Sequence, residues 1–206
     1  MRSSIPPVTR LILVVNVVVF LWQTTGATFF ASLALWPIGS GFAPWQILTY
    51  GFLHATPAHV LFNMFAVYMF GGPMERVWGG GRFAVYYLVC IASAAIAQLI
   101  VEAMMGNAYP TIGASGGVFG ILLAFAMTFP RQRVVLLLPP IPMPAWLFVT
   151  LYGALELFFG VTGTQAGVAH FAHLGGMLGG YLMIHRWRRE FRDRVFTAET
   201  PSDGDS

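Results

Sequence analysis

Five side chains able to move a proton or donate a hydrogen bond interrupt otherwise apolar runs of the sequence: His59 and Asn63, Ser115, and His170 with His173. In hydrocarbon such groups must find internal partners or face a wet cavity, so they are the informative exceptions in an apolar chain. Ser115 lies in Gly113-Ala114-Ser115-Gly116, where the polar connector from Asn107 to Thr111 gives way to an apolar stretch. A helix beginning there puts the serine at its N-terminus, where free amide groups and the helix dipole favour a developing negative charge. The plainer account is packing, since Gly113 with Gly117 and Gly116 with Gly120 are small-xxx-small pairs that let backbones approach closely. The two accounts are compatible, because a hydroxyl meets a base on another helix only when the helices are close.

His173, Gly176 and Gly180 fall at i, i+3 and i+7, which puts the imidazole and both glycines on one helical stripe. The expected neighbour of that stripe is the glycine-lined helix of Ser115. His170 is one turn away, but its own i+3 and i+7 positions are His173 and Met177, which pack less closely, so His173 is favoured as the base and His170 is its rival or a polar lid. His59 and Asn63, at i and i+4, share one face, and both can donate to a tetrahedral oxyanion; an interhelical polar clamp is the alternative. Glu156 lies within the fifth span and Glu102 near the end of the third, and nothing ties either to His173. The expectation is therefore a Ser-His dyad, in which a neutral imidazole takes the serine proton and returns it to the leaving amine. That chemistry calls for no cofactor and no metal.

The elements that must position these groups are membrane helices. Of 206 residues, 57% are hydrophobic and only 9% charged, too few to dress a water-facing surface. Bilayer-crossing helices need about 20 apolar residues, and the expected spans lie near Leu11 to Phe30, Pro57 to Val77, Phe83 to Met104, Ser115 to Phe129, Pro144 to Gly160 and Gly167 to Trp187. All 11 basic residues are arginine: Arg2, Arg10, Arg76, Arg82, Arg131, Arg133 and a tail cluster from Arg186 to Arg194. With an even number of spans and a cytoplasmic tail, every arginine falls on the inner side, as the positive-inside rule requires. Long runs without any basic residue argue against a nucleic-acid partner. His185 sits beside the arginine cluster, at the inner interface.

Residues 1–9 are expected as a cytoplasmic N-terminal segment, 10–187 as the membrane domain and 188–206 as a disordered cytoplasmic tail. The apolar opening from Arg2 to Phe20 reads as an uncleaved anchor, since further spans follow. Ser32 to Thr56 forms a long first loop whose Trp36, Phe42, Trp45 and Phe52 suit either the headgroup region or an ordinary outer loop. Pro139, Pro140, Pro142 and Pro144 force a connector between the fourth and fifth spans. Cys90, the single cysteine, has no internal disulfide partner.

Three motifs together resemble the rhomboid family of intramembrane serine proteases, over about Arg10 to Trp187: Gly113-Ala114-Ser115-Gly116 for its GxSG, His173-Leu174-Gly175-Gly176 with Gly180 for its HxxGxxxG, and His59 with Asn63 for its HxxxN. The resemblance implies an all-α membrane protein, a six-transmembrane-helix bundle of bacterial type with a long interfacial first loop. It implies Ser115 as nucleophile, His173 as base, and His59, Asn63 and the Ser115 amide as the oxyanion hole, with Gly113, Gly116, Phe119, Gly176 and Gly180 in support. Phe119 takes a position that in relatives often carries a ring beside the catalytic imidazole. His54 matches a structural histidine of the first loop, and Glu75-Arg76 an acidic-basic pair at the inner end of the second span. Where many relatives have Trp-Arg in the first loop, this chain has Trp45-Gln46, which removes the loop's ionic anchor. The implied partners are the lipid bilayer and transmembrane segments of other membrane proteins, cleaved near the outer surface after lateral access between spans two and five. The implied location is a bacterial inner membrane, with both termini cytoplasmic.

Three rivals remain at this stage. Gly113 to Gly117 also fits GxSxG, the nucleophile elbow of α/β-hydrolases, which needs a strand before the serine. A non-enzymatic rhomboid-like protein would bind membrane clients, though such relatives generally lack the serine or the histidine. A transporter would use His59, His170 and His173 as a proton path or metal site.

Overall fold

In a computed structural model of the chain, Pro7 opens the first helix, α1 (Pro7–Gln23), at a position where a missing N–H costs nothing. The other free amides of that turn are capped from far along the chain. Glu75 accepts the Val8 N–H at 2.9 Å, the Thr9 N–H at 2.6 Å and the Thr9 hydroxyl at 2.7 Å. The structure describes residues 4–26, 28–105, 109–135, 140–164 and 168–198, with side chains as far as residue 188.

A 3-10 turn (Thr28–Leu33) and a short helix, α2 (Gln46–Thr49), lie in the loop that leads to α3 (Pro57–Ala66). Thr56 caps α3 by accepting the His59 N–H at 3.1 Å, and Pro57 fixes its first turn. Through a π-helical turn (Val67–Gly71) the same rod continues as α4 (Gly72–Trp78), until Gly79 reverses the chain at φ 77°. Then follow α5 (Gly80–Met105) and α6 (Ser115–Thr128), two antiparallel strands, β1 (Arg133–Val135) and β2 (Pro142–Pro144), and finally α7 (Ala145–Thr162) and α8 (His170–Ala198).

The six expected spans fall on α1, on α3 with α4, and on α5, α6, α7 and α8. Three boundaries differ from expectation. The first helix ends at Gln23, not Phe30, because Thr24 and Thr25 turn their hydroxyls back onto the carbonyls of Leu21 and Trp22 and Gly26 takes φ 79°. The proline-rich connector is a small ladder, with Arg133 opposite Pro144 and Val135 opposite Pro142; Pro139 lies outside the described residues. The last helix continues to Ala198, so the stretch from 188 read as tail is helical that far. Residues 199–206, Asn107 and Gly167 lie outside the described residues.

The short α6 is the centre of the bundle, buried at Gly116 to Leu122 and again from Ala124 to Ala126. It lies against α5 and α8, which form the most extensive helix pair. Outward faces are apolar: Leu11, Val14 and Val18 on α1, Phe62 and Phe65 on α3, and Leu155 and Phe158 on α7 are all exposed. A continuous apolar exterior of this kind belongs against lipid tails. Among the described helices, α5 and α7 are each long and apolar enough to cross a membrane, while α1 and α6 are shorter apolar helices.

The first loop is pinned without an ionic anchor. Gln46 is 1% exposed, and its amide donates to the carbonyls of Ser32 at 3.1 Å and Gly41 at 3.2 Å while its oxygen accepts the Trp36 N–H at 3.1 Å. Leu35 and Thr111 exchange backbone hydrogen bonds at 3.0 and 2.8 Å, and Gly113 donates its N–H to the Tyr50 carbonyl at 3.0 Å. The Tyr50 hydroxyl in turn reaches the Ile91 carbonyl on α5 at 2.9 Å. Loop, central helix and α5 are thereby held in one register just ahead of Ser115.

Candidate active site

Ser115 is the first residue of α6, after Gly113 at φ 130° and Ala114 as the cap. A side chain at Gly113 would be strained by that φ and would also meet the His59 ring at 2.8 Å, so glycine there lets the His59 imidazole come up against the turn. The first amides of α6, beginning with Ser115, have no acceptor within the helix.

His173 is one turn into α8, and its Nε2 lies 2.8 Å from the Ser115 hydroxyl. The approach rests on glycine. A Cβ at Gly176 would collide with the Gly116 carbonyl, and one at Gly120 would come within 3.2 Å of the Gly176 carbonyl, so α6 and α8 touch backbone to backbone. The stripe is shared, however. At Gly180 a Cβ would run into the Tyr86 hydroxyl, and at Gly116 into Ala94, both on α5. Glycines expected to face one neighbour thus also let α5 close on α6 and α8 together.

Phe119, one turn after the serine, lies stacked on the His173 ring, with centroids 4.3 Å apart and planes 9° from parallel. Asn63 is buried on α3, and its Nδ2 has no hydrogen-bond partner. His59 Nδ1 accepts the Ala55 N–H at 3.4 Å, which leaves the ring proton on Nε2, the nitrogen beside Gly113. An N–H tautomer and a free helix N-terminus therefore lie beside the serine, and the unpartnered Asn63 amide is one turn from His59 on the same helical face. All three are donors, and a donor cluster without an acceptor suits a charge that appears only during reaction.

His54, in the first loop, is buried edge-on against His59, with centroids 4.9 Å apart. Burial, reinforced by the His59 ring, holds its pKa down at about 4. Gln23 brackets the His54 peptide, accepting its N–H at 3.1 Å and donating to its carbonyl at 3.4 Å.

Sequence spacing tied no acid to His173, and here the structure corrects the reading. Glu156 on α7 puts Oε2 2.8 Å from His173 Nδ1 and 2.7 Å from His170 Nδ1. His170 is thus neither at the serine nor a lid; it is buried beside the carboxylate. The sequence signal available was that an ionisable residue in a membrane span marks a functional site by default, with a partner to be named. Glu102, the other candidate acid, instead accepts from Gln98 at 3.0 Å and Thr111 at 3.2 Å.

The elbow of an α/β-hydrolase is not present: residues 109–114 form only an isolated bridge from Thr111 to Leu35, and the one ladder among the described residues lies after α6. An apolar cavity of about 1070 Å³ opens between the α3–α4 rod and α7. Phe62, Phe65, Met69, Val118, Phe148 and Tyr152 line it, and it reaches Asn63 and Phe119 at the site.

Residues 41–189 match the family model of the Rhomboid domain. The chain is 31% identical over 137 residues to rhomboid protease GluP of Bacillus subtilis, covering 66% of this chain and 25% of that one. To rhomboid protease GlpG of Photorhabdus laumondii it is 29% identical over 183 residues, covering 86% and 60%. To mitochondrial rhomboid protein 1 of Saccharomyces cerevisiae it is 28% identical over 146 residues, covering 66% and 40%. The chain therefore spans between a quarter and three fifths of the length of these curated relatives.

Proposed function

This chain belongs to the rhomboid family, whose members are embedded in membranes, and from that premise we propose that it is a serine endopeptidase cutting transmembrane helices of other membrane proteins. The observation that carries the reading is the 2.8 Å contact between the Ser115 hydroxyl and His173 Nε2. In the proposed reaction the serine oxygen attacks the scissile carbonyl as His173 Nε2 takes its proton. The tetrahedral oxyanion is held by His59 Nε2–H, Asn63 Nδ2–H and the Ser115 amide. His173 then gives the proton to the leaving amine, and a water molecule, activated by the same nitrogen, releases the acyl group.

Six crossings by α1, α3 with α4, α5, α6, α7 and α8 fit this reading, in a bacterial inner membrane with both termini cytoplasmic, since that orientation gathers the arginines inside. With 14 residues, α6 is about 21 Å long, against roughly 30 Å of hydrocarbon. A helix this short at the bundle centre is consistent with a serine lying below the outer surface, beneath the first loop. The apolar cavity between the α3–α4 rod and α7 is suited to a helical substrate that arrives sideways from lipid.

The test is labelling with a serine-reactive fluorophosphonate, together with cleavage of a model transmembrane substrate by the purified protein. Wild type is expected to label and cleave, while Ser115→Ala and His173→Ala do neither. A wild-type protein that binds such a substrate but neither labels nor cleaves would overturn the proposal in favour of client binding.

A further inference from the structure

We infer that Glu156, steadied by His170, is a positioning residue that turns a dyad into a Ser-His-Glu triad by fixing the tautomer and tilt of His173. The inference rests on the serine-protease reading and adds a third group to it. Three observations carry it. The carboxylate oxygen that meets His173 Nδ1 at 2.8 Å stands on the opposite side of the imidazole from the Ser115 contact at Nε2. That placement assigns the ring proton to Nδ1 as donor and leaves Nε2 bare to accept from the serine. Second, the Glu156 side chain is only 12% exposed and those of His170 and His173 5% and 10%, so the carboxylate has little water to lean on and its donors must come from protein. Third, His170 supplies such a donor, its Nδ1 lying 2.7 Å from the same oxygen.

When Nε2 takes the serine proton, the imidazole becomes a cation with N–H groups at both ends. Glu156 remains unprotonated and faces that charge across one hydrogen bond, as the buried aspartate does in soluble serine proteases. The His173 ring stands between Glu156 and Ser115, so the effect of the carboxylate on the serine passes through that ring. The same three groups could be taken for a metal site, since their ligand atoms lie within 4.8 Å of one another. Nitrogen and oxygen ligands on a tetrahedral zinc ion would stand about 3.4 Å apart. The observed 2.7 and 2.8 Å are hydrogen-bond separations, each too short to bracket an ion.

The experiment uses the full chain in detergent, with 15N-labelled histidine, the His173 signals being identified by their loss in His173→Ala. Wild type at a pH where the ring is neutral is expected to carry its proton on Nδ1. In Glu156→Gln part of the population should move to Nε2, and kcat should fall on the order of 100- to 10,000-fold with KM changed less than about twofold. His170→Leu, which removes one of the two donors, should move the tautomer signal in the same direction but less. A wild-type His173 protonated on Nε2 would overturn the inference outright, and decides the matter even where Glu156→Gln fails to fold. So would a folded Glu156→Gln with unimpaired kcat, or one whose KM rises while kcat holds. Failure of the underlying protease reading looks different: there, wild type itself neither labels nor cleaves.

Discussion

Phe119 and His173 lie face to face, 9° from parallel, so the imidazole is walled on one side by a ring from the helix that carries Ser115. That arrangement restricts the imidazole to rotation within its own plane, the plane containing both the Ser115 and the Glu156 contacts. Phe119→Ala should therefore lower kcat by about 3- to 10-fold, the equivalent of one aromatic contact. Phe119→Tyr should keep most of it. Steady-state cleavage of one model substrate by the three proteins checks this.

Asn63 is buried with an unused donor, and His59 presents Nε2–H to the same space. Replacing either by Ala is expected to reduce turnover about 100- to 1,000-fold, with fluorophosphonate labelling slowed in parallel. Thermal denaturation in detergent should change little, because neither donor satisfies a folded-state acceptor on that side. Variants that fail to accumulate would point instead to an interhelical clamp.

Gly176 has the Gly116 backbone where a methyl would go. Gly176→Ala must push α8 off α6, costing about 1–3 kcal/mol in strain and opening the distance between serine and imidazole. Both melting temperature and turnover should drop. At Gly81, where a Cβ would meet nothing within 4 Å, the same substitution should be neutral or slightly stabilising.

His54 predicts an acid limb in stability. Its pKa is about 4 in the folded chain against 6.5 for an unburied histidine. The unfolded state thus takes up a proton before the folded state does, so the stabilisation is complete above pH 6.5 and is lost as pH falls from there to about 4. Below that it is gone. Thermal denaturation across this range should show the limb in wild type and a shallower one in His54→Phe.

That Ser115 and His173 meet was readable because polar groups in apolar runs are few and the glycine stripe at His173, Gly176 and Gly180 has helical spacing. Which helix each glycine meets was not readable, since Gly180 faces Tyr86 on α5 and only the packed bundle decides that. Glu156 was visible as an intramembrane acid but not as a partner of His173. Its register depends on how α7 and α8 run back past each other, through a connection that includes residues 165–167. Replacement of an arginine by Gln46 read as a lost anchor, because charge can be read from a sequence while amide geometry cannot. In the fold one neutral side chain ties three backbone groups of the loop.

The Glu156 carboxylate that meets His173 rides on α7, a rod whose other flank is clothed in Leu155 and Phe158 and borders the cavity through Phe148 and Tyr152. A substrate that entered by wedging this rod outward would also draw the Glu156 carboxylate away from His173. On the proposed reading admission and reactivity are opposed: the imidazole is held best when α7 lies closed against α8, and a protein with that rod displaced would cut slowly whatever reached its serine.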